Sequence, residues 1–231
     1  MHLISLGVKM QLTNAPDEKQ FPLIETALHS VRLQRYMPAA GKDKAAAFQY
    51  YLWNCAISES FYLSLHFSEI VCRNALHQAL LARGDEKWFE NSTFRNILED
   101  RFRRELDDTV AQEWQDHGEK LTSHHIVASL TFGFWEHLTT KRFERFLWSK
   151  GVHKAFPNAP KGATYEDLHS QIEIVRRWRN RIAHHRSIFD KGPMRKHQEA
   201  IDLIKWVCLD TANWVIAGSK VPAAIALRPK P

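Results

Sequence analysis

The chain has 231 residues, 44% of them hydrophobic and 25% charged, with a formal net charge of +6. That is enough chain to bury a large core without staples, and too apolar a composition for a disordered one. The basic balance fits a polyanionic partner without showing one, and no run of about eighteen apolar residues exists, so no membrane span is expected.

The start of the chain lacks the basic opening, long apolar stretch and small-residue cleavage site of a secretion signal, so 1–20 reads as an N-terminal extension. A single helical domain is expected over 21–218. Within it, 21–38 reads as an amphipathic helix stopped near Pro38, followed by a loop at Gly41.

Residues 42–83 contain neither Gly nor Pro. Phe48, Tyr51, Cys55, Ser58, Tyr62, Leu65, Glu69, Cys72 and Leu76 alternate spacings of three and four, as the buried stripe of one long helix does. A helix that long invites a kink or break. Gly84 supplies the stop.

Asn91-Ser92-Thr93 offers a cap for a helix over 94–117, and Thr122-Ser123 one for 124–138, which Gly133 could interrupt. Phe132, Phe134 and Trp135 read as core around the close packing that Gly133 allows. A short apolar segment follows, with Phe143, Phe146, Leu147 and Trp148, and 156–162 is a loop. Thr164 with Asp167 makes a capping-box start for a helix through Leu168, Ile172, Val175 and Ile182. The last helix is expected over 194–217, and 219–231 as a polar, Pro-containing tail. No strand alternation and no repeat appears, so the fold class is all-α, a multi-helix bundle.

Cys55, Cys72 and Cys208 are odd in number and widely spaced, without a CxxC. They read as small core hydrophobes in a reducing, cytoplasmic compartment. Trp53, Trp88, Trp114, Trp148, Trp206 and Trp214 follow helical apolar positions and also read as core. The thirteen histidines contain no HExxH or three-ligand set, so neither a metal nor another cofactor is expected. Lys141, Arg142, Arg145, Lys150, His153, Lys154 and Lys161 form a basic region suited to a nucleic-acid backbone or to plain solvation.

The densest signal is Arg176-Arg177-Trp178-Arg179-Asn180-Arg181-Ile182-Ala183-His184-His185-Arg186, which holds no acid. Such a cluster needs carboxylates from elsewhere or a bound anion. The alternation of Leu168, Ile172 and Val175 continues to Arg179, which places a guanidinium on the apolar stripe, where it requires a partner. Glu69 is the mirror case on the long helix, with Arg73 and Asn74 just after it. A Glu69–Arg179 contact or a Glu69–Arg73 pair would satisfy the charges.

Asn180 and His184 share a helix face, while Arg179 and His184 lie about 140° apart around the axis. An imidazole moves protons near neutral pH and a guanidinium holds phosphate in a fork. RNA brings its own 2′-hydroxyl nucleophile, so these groups suit metal-independent RNA cleavage. The same residues also suit an RNA- or nucleotide-binding face, or a structural dimer.

Arg177 to His185, followed by Ile188-Phe189, resembles the motif of the Abi-like (abortive infection) proteins of the HEPN superfamily. Arg32-Leu33-Gln34-Arg35-Tyr36, Tyr51-Leu52-Trp53-Asn54, Glu69 to Leu76, and Leu130-Thr131-Phe132-Gly133-Phe134-Trp135 resemble further family segments, in the same order. The resemblance implies a HEPN-like helical domain with extra helices and an endoribonuclease acting in phage defence or as a toxin. It points to Arg179, Asn180 and His184 as catalytic. Glu69, Arg73, Asn74, Arg177, Arg181, His185 and Arg186 become supporting or RNA-binding residues. The implied partners are RNA, a second copy in a homodimer, and an antitoxin. Arg186 departs from the pattern, since relatives carry an acid there. His185 stands only four residues from Arg181, so His184 ranks first.

Overall fold

The structure, a computed structural model, describes residues 15–84 and 86–230, so most of the expected N-terminal extension, 1–20, lies outside the described residues. Among them no strand occurs, and the chain is an all-α multi-helix bundle. The helices are α1 (Phe21–Leu28), α2 (Ser30–Gln34), α3 (Lys44–Ser60), α4 (Tyr62–Leu81), α5 (Ser92–Ile97) and α6 (Asp100–His117). They continue as α7 (Ser123–Ser129), α8 (Phe132–His137), α9 (Tyr165–Ala183), α10 (Pro193–Val207), α11 (Leu209–Gly218) and α12 (Val221–Ala226). A π turn, Glu144–Trp148, lies between α8 and α9. Among the described residues no helix is long and apolar enough to cross a membrane.

Five expected helices are each divided in two. The breaks fall at His29, Phe61, Leu98–Glu99, Leu130–Thr131 and Cys208, none of which is Gly or Pro. Phe61, Leu98 and Leu130 are all sunk in the core. Burying such a side chain gains about 1.5–3 kcal/mol, more than the net value of about 1 kcal/mol for a helical hydrogen bond it interrupts. Local caps then restart the chain: Thr131 Oγ1 accepts from Phe134 N at 3.3 Å, and Cys208 Sγ accepts from Thr211 N at 3.5 Å. Gly133 is not the interruption, nor does it permit a close approach, since a Cβ there would meet only Thr131 Oγ1 at an ordinary 3.6 Å.

The break at Phe61 resets the helical phase, so one stripe does not run through 42–83. The buried face of α3 is Phe48, Tyr50, Trp53, Asn54 and Ile57, while Cys55 and Tyr62 are exposed. From Leu65 onward the expected stripe holds, with Leu65, Cys72 and Leu76 buried. Of the three cysteines only Cys72 is core; Cys208 caps α11. Trp114 and Trp214 are likewise outside the core, 55% and 67% exposed.

The described residues gather in two compact units. The first takes its residues from Met1–Phe61, His185–Met194 and Lys220–Pro231. Its core is aromatic: Tyr36, Tyr50 and Trp53 surround Phe189 at ring distances of 5.3, 5.9 and 6.1 Å. Asn54, itself buried, accepts from the backbone N–H of Ile188 at 2.7 Å and of Phe189 at 3.2 Å. Arg32 donates to the carbonyl of His185 at 3.3 Å, and Arg35 to Ser187 and Asp190. The stretch read as a tail contains α12, which packs on α3 and accepts a 2.8 Å bond from Trp53 Nε1 at the carbonyl of Ala224.

The second unit holds Tyr62–His184 and Arg195–Ser219. Trp88, Phe94, Phe134, Trp135 and Phe143 fill one part of its core. Ile201, Ile204, Ala212 and Val215 pack with Leu63, Phe67 and Val71 in another. Within this unit α9 lies against α4 and α8, which sets the surroundings of the arginine-rich segment.

Candidate functional site

Helix α9 begins as its sequence dictates, with Thr164 and Asp167 exchanging side-chain and backbone bonds. Its buried face is Leu168, Ile172, Val175 and Trp178. Arg179 is therefore not on the buried stripe: the step after Val175 is three residues, to Trp178, and the next residue is turned about 100° away. The indole was the better core group, and its neighbour is left at the surface.

Arg179 is 46% exposed, and its Nε stands 3.5 Å from Glu69 Oε2. Of the two pairings open to Glu69, this is the one formed. Nη1 of Arg179 also donates to Asn180 Oδ1 at 3.2 Å. Arg73 turns elsewhere on α4, donating to the carbonyl of Ala128 at 3.2 Å, and Asn74 is exposed. Arg177 pairs with Glu173 one turn back at 3.1 Å, and Arg181 is half-buried.

Arg176 makes the deepest ion pair of the segment, with Glu136 of α8, whose side chain is only 10% exposed. Burial, then the neighbouring Arg177 and Arg101, pulls the Arg176 pKa below its usual value. The acid-free segment thus draws carboxylates from three places: Glu136 on α8, Glu173 on α9 and Glu69 on α4. Its position in the last turns of α9 also suits cations, because the helix dipole is negative there.

His184 closes α9. Its N–H donates to the carbonyl of Asn180 at 2.9 Å, and its exposed side chain has no partner among the described residues. His185 and Arg186 follow in sequence but belong to the first unit, where both are exposed and His185 takes φ +54°.

Beside Arg179 and Asn180 opens a cleft of about 560 Å³ between α6, α8 and α9. Three arginines line it (Arg101, Arg176, Arg179) and three carboxylates (Glu99, Glu105, Glu136), with His137 and His169. Arg101 reaches Glu99 at 3.5 Å, and Glu105 accepts from Thr131 N at 2.9 Å. His137 is stacked on Phe102 at 4.3 Å, and its Nε2 accepts from Glu99 N at 3.3 Å. Burial chiefly, with Arg142, Arg101 and His169 nearby, holds its pKa down to about 4, against the raising effect of Glu99. It is a neutral acceptor at physiological pH.

His169, Arg176 and Asn180 follow at i, i+7 and i+11, a polar stripe about 100° around the helix from the apolar one, and this spacing is the sequence signal for the cleft. His169 and His184 are fifteen residues apart on one helix, about 22 Å along the axis, so one phosphate cannot engage both. Asn180 and His184 are one turn, about 6 Å, apart. The structure thus brings Glu69, Arg179 and Asn180 together, puts His184 one turn further, and leaves Arg73 and Arg177 bound elsewhere. Among the described residues no group of three or more His, Cys, Asp or Glu could hold a metal ion. No family model, curated protein or solved structure matches this chain.

Proposed function

We propose that the chain is a metal-independent endoribonuclease of the Abi-like HEPN type, acting in phage defence or as a toxin. The observation that supports this reading best is the exposed imidazole of His184, without a partner among the described residues, one turn beyond Asn180, which lines an open cleft with Arg179. In this reading the 2′-hydroxyl of RNA loses its proton to a base, and its oxygen forms a new bond to phosphorus. The P–O5′ bond breaks, and O5′ takes a proton from an acid. The products are a 2′,3′-cyclic phosphate and a 5′-hydroxyl.

Arg179 would exchange its half-exposed pair with Glu69 for a charge-assisted fork on the phosphate, and the developing charge makes that exchange favourable in the transition state. Asn180 would orient the substrate. One imidazole cannot be base and acid at the same instant, so a second copy of the chain in a homodimer would supply the other. Purified protein incubated with RNA in chelator is expected to yield 2′,3′-cyclic ends, and His184→Ala to abolish cutting with an unchanged melting temperature. Undiminished cutting by that variant would end the assignment.

A second reading, a structural role in which these arginines only pair, is favoured by one observation: Arg101, Arg176 and Arg179 each already have a carboxylate beside them. It calls for no RNA to be bound or cut and for Arg179→Ala to destabilise the fold.

A further inference from the structure

The basic region between Lys141 and Lys161 is not one continuous surface. Arg142 is turned to Glu99 at 3.5 Å. Lys150 and Lys154 instead border a pocket of about 290 Å³, together with Arg83 just beyond the end of α4. Ala79, Leu147 and Trp148 give the same pocket an apolar lining. No acidic residue lines it, and none of the three cations has a carboxylate partner among the described residues. This is the reverse of the α9 cleft, where every arginine has one.

Arg83 is fixed in place. Its guanidinium donates to the carbonyls of Phe146 and Arg145 and to Ser149 Oγ, the last at 3.1 Å. Neutral oxygens hold the group without cancelling its charge, so a ligand would not have to order it. The carbonyls of Arg145 and Phe146 within the π turn account for Arg83, but they leave Lys150 and Lys154 unexplained.

Three uncompensated cations attract an anion of more than one charge, and the apolar lining suits a ring or chain attached to it. The volume lies at the lower end of small-ligand pockets, and the diversion of Arg142 interrupts any path for a strand. We propose that this pocket binds a small organic phosphate about the size of a nucleoside monophosphate. The site is separate from the one assigned to RNA cleavage and does not depend on that reading.

The test is calorimetric titration of the whole protein with AMP, adenosine, inorganic phosphate and a 5′-hydroxyl RNA hexamer. AMP is expected to bind at least about tenfold more tightly than any of the other three, and to weaken as salt is raised. The double variant Lys150→Glu/Lys154→Glu should lower AMP affinity at least about tenfold. Lys141→Glu/Lys161→Glu, the same charge change outside the pocket, should leave it within about twofold. All four lysines are exposed, so an unchanged melting temperature confirms folding, and Arg83 is left intact because it holds the π turn. Absence of AMP binding, adenosine or phosphate binding as tightly as AMP, a preference for the hexamer, or equal losses in the two variants would overturn the proposal.

Discussion

Arg176 and Arg179 stand three residues apart on α9 and both face a carboxylate, yet their surroundings give the two pairs different weights. Glu136 is nearly sealed from water, so removing its partner leaves a buried charge uncompensated. Arg176→Ala is expected to cost about 3 kcal/mol of stability. Arg179 is half in solvent, where an ion pair contributes at most about 1 kcal/mol, and Arg179→Ala should unfold at nearly the parent urea concentration. A purely structural role for Arg179 fails this comparison if the variant stays folded, and the proposed phosphate role requires that it lose RNA cleavage.

His137 gives a pH signature. Its folded pKa, about 4, lies below the ordinary 6.5, so the unfolded chain binds more protons in between. Stability is therefore fully present above about pH 6.5 and falls on acidification toward pH 4, by roughly 3 kcal/mol in all. Burial lowers the pKa of His77 and His197 too, which adds to the same trend. Urea unfolding measured from pH 7 to pH 4.5 should show this slope, and His137→Gln should flatten part of it.

At the level of elements, the helical class and the capping box at Thr164 were legible in the sequence, and the Glu69–Arg179 pairing only as one of two open to Glu69. A break within 42–83 and an interruption of 124–138 were also expected, but the positions of the breaks were not legible, because Phe61, Leu98 and Leu130 carry no local stop signal and are instead buried in the core. The exposure of Arg179 is hidden in the sequence for a related reason. Val175 can be followed by a buried residue at either three or four, and Trp178 took the place. The polar stripe of His169, Arg176 and Asn180 was readable in principle but was overshadowed by the denser arginine run. Asn54 shows how much one buried side chain sets. It accepts both N–H groups of Ile188 and Phe189, so Asn54→Ala should cost about 1–3 kcal/mol and increase amide exchange at those two positions.

At the scale of the whole molecule, one unit is threaded from three distant stretches and the other from two. The first depends on α12 for the partner of Trp53 and for the buried Val221 and Ala224. Deleting residues 220–231 is expected to lower the melting temperature and to expose α3 to protease, while deleting only 229–231, beyond the Arg228 that rests on Tyr50 and Trp53, should do neither.

That threading also sets an order in time. A ribosome adding about 5–20 residues per second needs on the order of ten to thirty seconds to travel from Phe61 to Ala226. Throughout that interval the earliest helices have no α12 to close over them. The nascent aromatic surface around Trp53 stays uncovered until α12 is made, so a chain stopped short of residue 220 is expected to aggregate more readily than one that includes α12.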